Sequence, residues 1–167
     1  MGRTRRASGF RLLVLVCLVA LSGTASAQTR LMLLSPDEAV RLRLGREEPW
    51  GAGPTVRGST GPRILVQEPV VRQTSNGPVI ETSPSMSFFI LFEANGSPVD
   101  MESLEIKAKK GILSMSLTPR LKPFIEGTSL KVGSVTVPEG RFLIQIEILD
   151  KAGAKSVEQY RLEVRGG

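Results

Sequence analysis

Large apolar residues recur at every second position in much of this chain from residue 63 onwards. In residues 141–148, for example, Phe142, Ile144, Ile146 and Ile148 alternate with mostly polar neighbours. A period of two is typical of half-buried β-strands. The same pattern occurs in residues 86–93, 104–109, 113–117 and 160–165. Asn, Gly, Pro and Asp residues separate these runs, so we predict one all-β domain over residues 63–167.

The spacing of the predicted strands indicates how they are arranged. About seven or eight short strands, with turns every eight to twelve residues or so, are typical of a β-sandwich. A small closed barrel would show the same alternation and is the alternative. Pro69 interrupts one of the apolar runs, and we expect an edge strand or a break there because proline cannot donate a ladder hydrogen bond.

Residues 28–62 form a leader of different character. Ser35, Pro36 and Glu38 match a capping box with proline at the first helical position, and Gly45 is a typical stop. They predict a short helix over residues 36–44, which is too short to be stable alone in water. The Gly- and Pro-rich stretch that follows, through residue 62, predicts a flexible linker.

The leader carries apolar side chains that need a covering surface. One interpretation is that the helix folds back and caps its own sandwich. The other is that the leader presents an apolar face to a partner, as in helix-in-groove recognition. In that second case the candidate partner-binding residues are Leu33, Leu34, Val40, Leu44 and Trp50.

Residues 1–27 match a cleavable secretory signal peptide. Four arginines precede an apolar run at residues 12–21, and the tripeptide Ala25-Ser26-Ala27 closes it. This order of basic, apolar and small-residue regions predicts cleavage between Ala27 and Gln28. The run has ten residues, whereas a spanning helix needs about 20. We therefore expect an exported, periplasmic protein that does not span the membrane after cleavage.

Removal of the signal changes the charge of the protein. The whole chain has 22 basic and 16 acidic residues. Four of the basic residues lie in residues 1–27 and no acidic residue does, which leaves 18 against 16, or +2, for residues 28–167. A nucleic-acid partner requires a strongly basic surface, so this balance argues against one.

Few residue types remain for chemistry. The chain has no histidine, and its one cysteine, Cys17, lies in the predicted signal. Nucleophilic cysteine and histidine acid–base steps are therefore excluded after cleavage, and we expect no cofactor and no metal.

Carboxylates are the remaining catalytic candidates. A glycan hydrolase needs two acids that face one cleft, and Glu81, Glu93, Asp100 and Glu102 are close in sequence. Acids also favour turns for backbone reasons, which is the simpler explanation. A carbohydrate-binding module without turnover is a further alternative, for which Trp50 and Tyr160 would be the aromatic platforms.

Five cations form a candidate patch for anionic surfaces: Lys107, Lys109, Lys110, Arg120 and Lys122. In such a patch they would contact anionic envelope material, such as lipid headgroups or acidic glycans. Alternatively, they form a solvated strand face that protects a sheet edge.

Residues 140–164 resemble the last two strands of bacterial immunoglobulin-like domains. The similarity lies in a strand that ends at Asp150, the hairpin residues Ala152-Gly153, and a final strand with Tyr160, Leu162 and Val164. The resemblance implies an immunoglobulin-like β-sandwich. The layout of signal, short helix, linker and sandwich is also similar to that of small periplasmic proteins.

These observations lead to one functional prediction. We expect a non-catalytic periplasmic binding or assembly module, not an enzyme, that engages an envelope protein or a cell-wall glycan. The carboxylate-based hydrolase and the carbohydrate-binding module acting on the cell wall are the alternatives.

Overall fold

A computed structural model of the chain describes residues 31–45 and 60–166. The predicted signal peptide, Trp50 and most of the predicted linker lie outside the described residues. The helices and strands are β1 Leu31–Met32, α1 Pro36–Leu42, β2 Arg63–Glu68, β3 Val71–Thr74, β4 Gly77–Thr82, β5 Ser85–Glu93, β6 Val99–Lys110, β7 Leu113–Ser116, α2 Thr118–Leu121, β8 Ile125–Glu126, β9 Ser129–Thr136, β10 Gly140–Asp150 and β11 Lys155–Val164.

The strands form two sheets. The five-stranded sheet has the order β1-β9-β5-β2, with β8 also paired to β9, and the six-stranded sheet has the order β3-β4-β11-β10-β6-β7. Two pairs, β1 with β9 and β4 with β11, are parallel, and the other pairs are antiparallel. The chain passes from one sheet to the other after β2, where Pro69 ends the ladder.

The predicted all-β sandwich is confirmed: the strands form two sheets that share one apolar core. The two separate sheets replace the closed-barrel alternative. The described residues contain eleven strands, more than the seven or eight predicted. The extra strands include β1, β3 and β8, which have two to four residues each and are too short to show a period of two.

Apolar side chains from both sheets interleave to form the core. In β10, Phe142, Ile144, Ile146 and Ile148 point inward, as the alternation predicts. Phe92 and Ile90 of β5 reach the same core from the opposite sheet. Full burial of a side chain of this size stabilises the fold by about 1.5–3 kcal/mol.

The leader residues 31–45 pack on their own sandwich. Strand β1 extends the five-stranded sheet beside β9, and Leu33 and Leu34 that follow it are buried in the main core. Helix α1 ends at Leu42 rather than at the predicted residue 44, because Arg43 takes an extended conformation with ψ 126°. The chain then reaches β10, where the Leu44 amide donates to the Arg141 carbonyl at 2.8 Å.

A charged contact holds helix α1 in place. The capping box is present as predicted: Glu38 donates its amide to the Ser35 hydroxyl, and its carboxylate accepts from the Ser35 amide. The guanidinium of Arg120, in α2, donates to both Glu38 oxygens at 2.8 and 2.7 Å, and to the Leu33 carbonyl at 2.6 Å. The hydrogen bond from Arg120, followed by that from the Ser35 amide, lowers the pKa of Glu38 to about 2.

We expect Arg120→Ala to reduce the free energy of unfolding at pH 7 by about 1–2 kcal/mol, because it removes a forked pair that is only partly screened by solvent. Since the folded pKa of Glu38 lies below its ordinary value of 4.5, this contribution is present above pH 4.5 and is lost as the pH falls towards 2. Urea denaturation of both proteins between pH 7 and pH 2 measures it. Lys122→Ala, at the neighbouring exposed cation, is the control, and equal effects of the two substitutions would contradict the prediction.

Candidate functional site

Side chains that are mostly polar or charged lie in register across one face of the six-stranded sheet. They belong to β4, β11, β10 and β6 and point away from the five-stranded sheet; we call this surface the outer face. Its members are Val79, Glu81, Glu105, Lys107, Lys109, Arg141, Leu143, Gln145, Glu147, Lys155, Val157, Gln159, Arg161 and Glu163. Each strand places one of them in every second position, so the strand ladders align them in rows.

Gln145 is the centre of the outer face. It is only 7% exposed although it points away from the core, because β10 has a strand on each side. Its Oε1 accepts from Lys109 Nζ at 3.0 Å and from Gln159 Nε2 at 2.7 Å, and its Nε2 donates to Glu147. The amide therefore joins three strands in one hydrogen-bonded network, and buried networks of this kind are rigid when they are satisfied.

Glu147 connects this network to a row of charges. Its Oε2 lies 2.6 Å from Lys155 Nζ, and its Oε1 lies 3.9 Å from Lys107 Nζ. Lys107 also contacts Glu105 at 2.9 Å. The hydrogen bond from Lys155 is the main cause of the lowered pKa of Glu147, with smaller contributions from the charges of Lys107 and Lys155. Charges of both signs are thus held at fixed places on this surface.

A second cluster lies where β11 ends and β10 begins. A surface depression of about 530 Å³ is lined there by Gly140, Arg141, Glu163, Val164 and Arg165. Glu163 contacts Arg165 at 2.8 Å and Arg141 at 3.9 Å.

Glu81 on β4 extends this cluster towards the edge of the sheet. It lies beside Glu163 in the strand register, 3.8 Å from Arg165, and is also paired with Arg72. Arginine thus outnumbers glutamate here.

The structure places the candidate partner-binding residues of the leader in different environments. Leu33, Leu34 and Leu44 are buried in the protein's own domain, whereas Val40 is 69% exposed. In this arrangement the three leucines are covered by the sandwich and offer no surface to a partner. Partner binding through Val40 stays a prediction, and Trp50 lies outside the described residues.

The five candidate cations do not form one patch. Lys107 and Lys109 belong to the outer face, where they contact Glu147 and Gln145. Arg120 is paired with Glu38 beside helix α1, and Lys122 is exposed at the start of the 3₁₀ helix Lys122–Phe124 that follows α2. Lys110 donates to the Arg43 carbonyl at 2.8 Å. Sequence proximity therefore does not bring these five cations together, because the chain turns twice between residues 110 and 122.

The four candidate catalytic acids do not come together at one site, although Asp100 and Glu102 lie two residues apart in β6. Glu81 lies opposite Glu163, near the end of β11, whereas Asp100 pairs with Leu149 near the opposite end of β10. Glu163 pairs with Arg141, which is eight residues before Leu149 in β10. Glu81 and Asp100 therefore lie roughly 27 Å apart along the strand direction. Glu93 belongs to the other sheet, and Asp100 is engaged by Lys151 at 2.7 Å. The arrangement does not favour a carboxylate-based hydrolase.

Of the two aromatic residues predicted to bind carbohydrate, Trp50 lies outside the described residues and Tyr160 is not at the surface. Tyr160 is 4% exposed and belongs to the core. Its hydroxyl donates to Glu158, a carboxylate in the inward-facing positions of β11. Glu158 was not among the residues predicted to be functional, although its place in the alternation between Ser156 and Tyr160 marks it as inward-facing. Burial raises the pKa of Glu158, and burial followed by the nearby Glu158 charge raises that of Tyr160.

Neither a metal-binding cluster nor a membrane-spanning helix occurs in residues 31–45 and 60–166. Within those ranges no three Asp, Glu, His or Cys side chains gather in a way that could hold a metal ion. No helix in the same ranges is long and apolar enough to cross a membrane.

Comparison with known proteins gives one structural likeness. No protein-family model matches this chain, and no curated protein matches it either. Among solved structures, murine CRIg is similar over 62% of this chain and 98% of its own, with a TM-score of 0.34 and 9% sequence identity. This likeness is too distant to carry a functional argument, so function has to be argued from the surfaces described above.

We expect Glu158→Gln to stabilise the protein at neutral pH. Because burial raises the folded pKa of Glu158, the folded state binds the proton more tightly than the unfolded state. The wild-type protein therefore loses stability as the pH rises from the ordinary value of about 4.5 through the folded pKa. Gln keeps an acceptor for Tyr160 without the charge, so the advantage of the variant should grow over that range.

Urea denaturation of the two proteins between pH 4 and pH 8 measures this difference. Glu102→Gln, at an exposed acid of β6, is the matched control and should show no growing advantage. A constant difference between Glu158→Gln and wild type at all pH values would rule out the titration of Glu158 as the cause.

Proposed function

We propose that this chain is an exported, non-catalytic binding or assembly module of the bacterial periplasm. It engages an envelope protein or a cell-wall component through the outer face of the six-stranded sheet. The observation that carries the proposal is the hydrogen-bonded network centred on Gln145, which fixes polar groups of three adjacent strands on a solvent-facing surface.

The preorganisation of this surface supports a binding role. Lys107, Lys109 and Lys155 are already held by neighbouring carboxylates and amides. Association orders flexible side chains at a cost of about 0.5–1.5 kcal/mol each, and much of that ordering is complete in the free protein. Fixed charges of both signs also provide specificity, since a wrong partner meets like charges.

Export is supported by the sequence of residues 1–27. Its basic region, apolar run and Ala25-Ser26-Ala27 site are those of a cleavable signal. We expect the protein isolated from the periplasmic fraction of a bacterial host to begin at Gln28, which N-terminal sequencing measures. Recovery of the full-length chain from the cytosol would contradict this part of the proposal.

A steric block tests the role of the outer face. Ser116 of β7 is exposed and lies beside Lys107 in the strand register, so Ser116→Arg adds bulk to this face without entering the core. We expect capture of purified cell-wall sacculi or envelope proteins by residues 28–167 to fall by about tenfold or more, as when a well-packed contact is lost.

The matched control is Ser85→Arg. Ser85 is an exposed serine of β5, in the other sheet, and the change adds the same side chain and charge. Both variants should unfold at the wild-type urea midpoint. If the two variants capture sacculi and envelope proteins equally well, the outer face is not the binding surface.

A further inference from the structure

The hairpin between β6 and β7 has an apolar tip. Gly111 turns the chain with φ +56°, and Ile112 and Leu113 follow it. Ile112 is fully exposed, at 102%, and Leu113 is 54% exposed. Turns ordinarily carry Asn, Asp, Ser or Gly, and the turn geometry here requires only the glycine. Packing within the fold therefore does not explain two adjacent aliphatic side chains at this tip.

The same end of the sandwich is rich in positive charge. One row of the outer face contains Lys109, Arg161 and, beyond β4, Arg72. The next row contains Arg141, with Arg165 at the end of β11 beside it. We call this surface, together with Arg43 and Lys110, the basic end.

Contacts join the basic end to the tip. Lys110, the residue before Gly111, donates to the Arg43 carbonyl at 2.8 Å. Arg43 in turn donates to the Glu139 carbonyl, next to the start of β10. The hairpin tip, the end of α1 and the start of β10 are thus neighbours.

Charge is distributed unevenly over the protein. The basic end has seven cations, and three carboxylates lie among them: Glu81, Glu139 and Glu163. The excess is four positive charges, whereas residues 31–45 and 60–166 together have 15 basic and 14 acidic residues, or +1. The other described residues therefore carry −3, so positive charge is concentrated at this end.

We propose that the basic end docks on an anionic phospholipid surface, with Ile112 and Leu113 entering the boundary between headgroups and acyl chains. Binding of this interfacial kind combines a small buried apolar area with attraction between basic residues and anionic headgroups. Here Ile112 and Leu113 supply the exposed apolar area, and the basic end beside them supplies the positive charge. This site lies at one end of the outer face, with which it shares Lys109, Arg141 and Arg161, and it would hold the protein at the membrane while the network around Gln145 remains accessible.

Vesicle co-sedimentation tests the proposal. Residues 28–167 contain the whole described sandwich and omit the apolar run of residues 12–21, which would itself bind vesicles. We expect this protein to sediment with vesicles of equal parts phosphatidylglycerol and phosphatidylethanolamine, and not with pure phosphatidylcholine. Raising the salt to about 0.5 M should release it, because screening weakens attraction to the headgroups.

Substitutions locate the contact. Ile112→Asp should reduce partitioning into the phosphatidylglycerol vesicles by at least about tenfold, and Lys110→Glu should reduce it by about fivefold or more. The matched control is Ala152→Asp, because Ala152 is exposed in the hairpin between β10 and β11, at the other end of β10 from Gly140 and the basic end. This variant should partition like the wild type, and all three variants should keep the wild-type urea midpoint.

Each other outcome overturns the proposal. Equal sedimentation with both vesicle types, or unchanged partitioning of Ile112→Asp, would mean that the tip does not enter an anionic membrane. Sedimentation velocity adds a further readout: if wild type self-associates and Ile112→Asp does not, the tip is a contact between protein chains. A negative result in the vesicle assay does not bear on partner binding by the outer face. That role is measured separately, by the capture of sacculi and envelope proteins by Ser116→Arg.

Discussion

Apolar packing between the two sheets is the interaction on which the rest of this structure depends. The chain has one cysteine, so no intrachain disulfide can hold the sheets together. Phe92 and Phe142, both at most 1% exposed, come from opposite sheets and meet in the same core. Leu33 and Leu34 join that core from the leader. Residues 31–45 are therefore packed as part of the folded domain, and the Glu38–Arg120 pair fixes the helix that follows those leucines.

The position of β10 explains the character of the outer face. With β11 on one side and β6 on the other, its outward residues are covered from both sides, and Gln145 becomes buried although it faces solvent. A buried amide has to be hydrogen-bonded, and its partners are Lys109, Gln159 and Glu147. The same packing that stabilises the sheet thus also orders the polar surface proposed to bind a partner.

The proposed surfaces divide the molecule by chemistry. The centre of the outer face is a fixed network of both charge signs, suited to a complementary partner surface. The basic end has an excess of positive charge and an exposed aliphatic tip, suited to an anionic membrane. The two surfaces share Lys109, Arg141 and Arg161 at their border. A partner on one surface therefore approaches the other closely.

The sequence by itself determined the strands, the capped helix and the sandwich, because alternation and capping are local properties of consecutive residues. It also identified Phe142 and Ile144 as core positions. Only the tertiary structure decided that Leu33 and Leu34 are covered by the same chain, that Glu81 and Asp100 lie far apart, and that Arg120 and Lys107 belong to different surfaces. Those outcomes depend on which strands become neighbours and at what register. Strand pairing joins residues far apart in the chain, so a local pattern does not contain it.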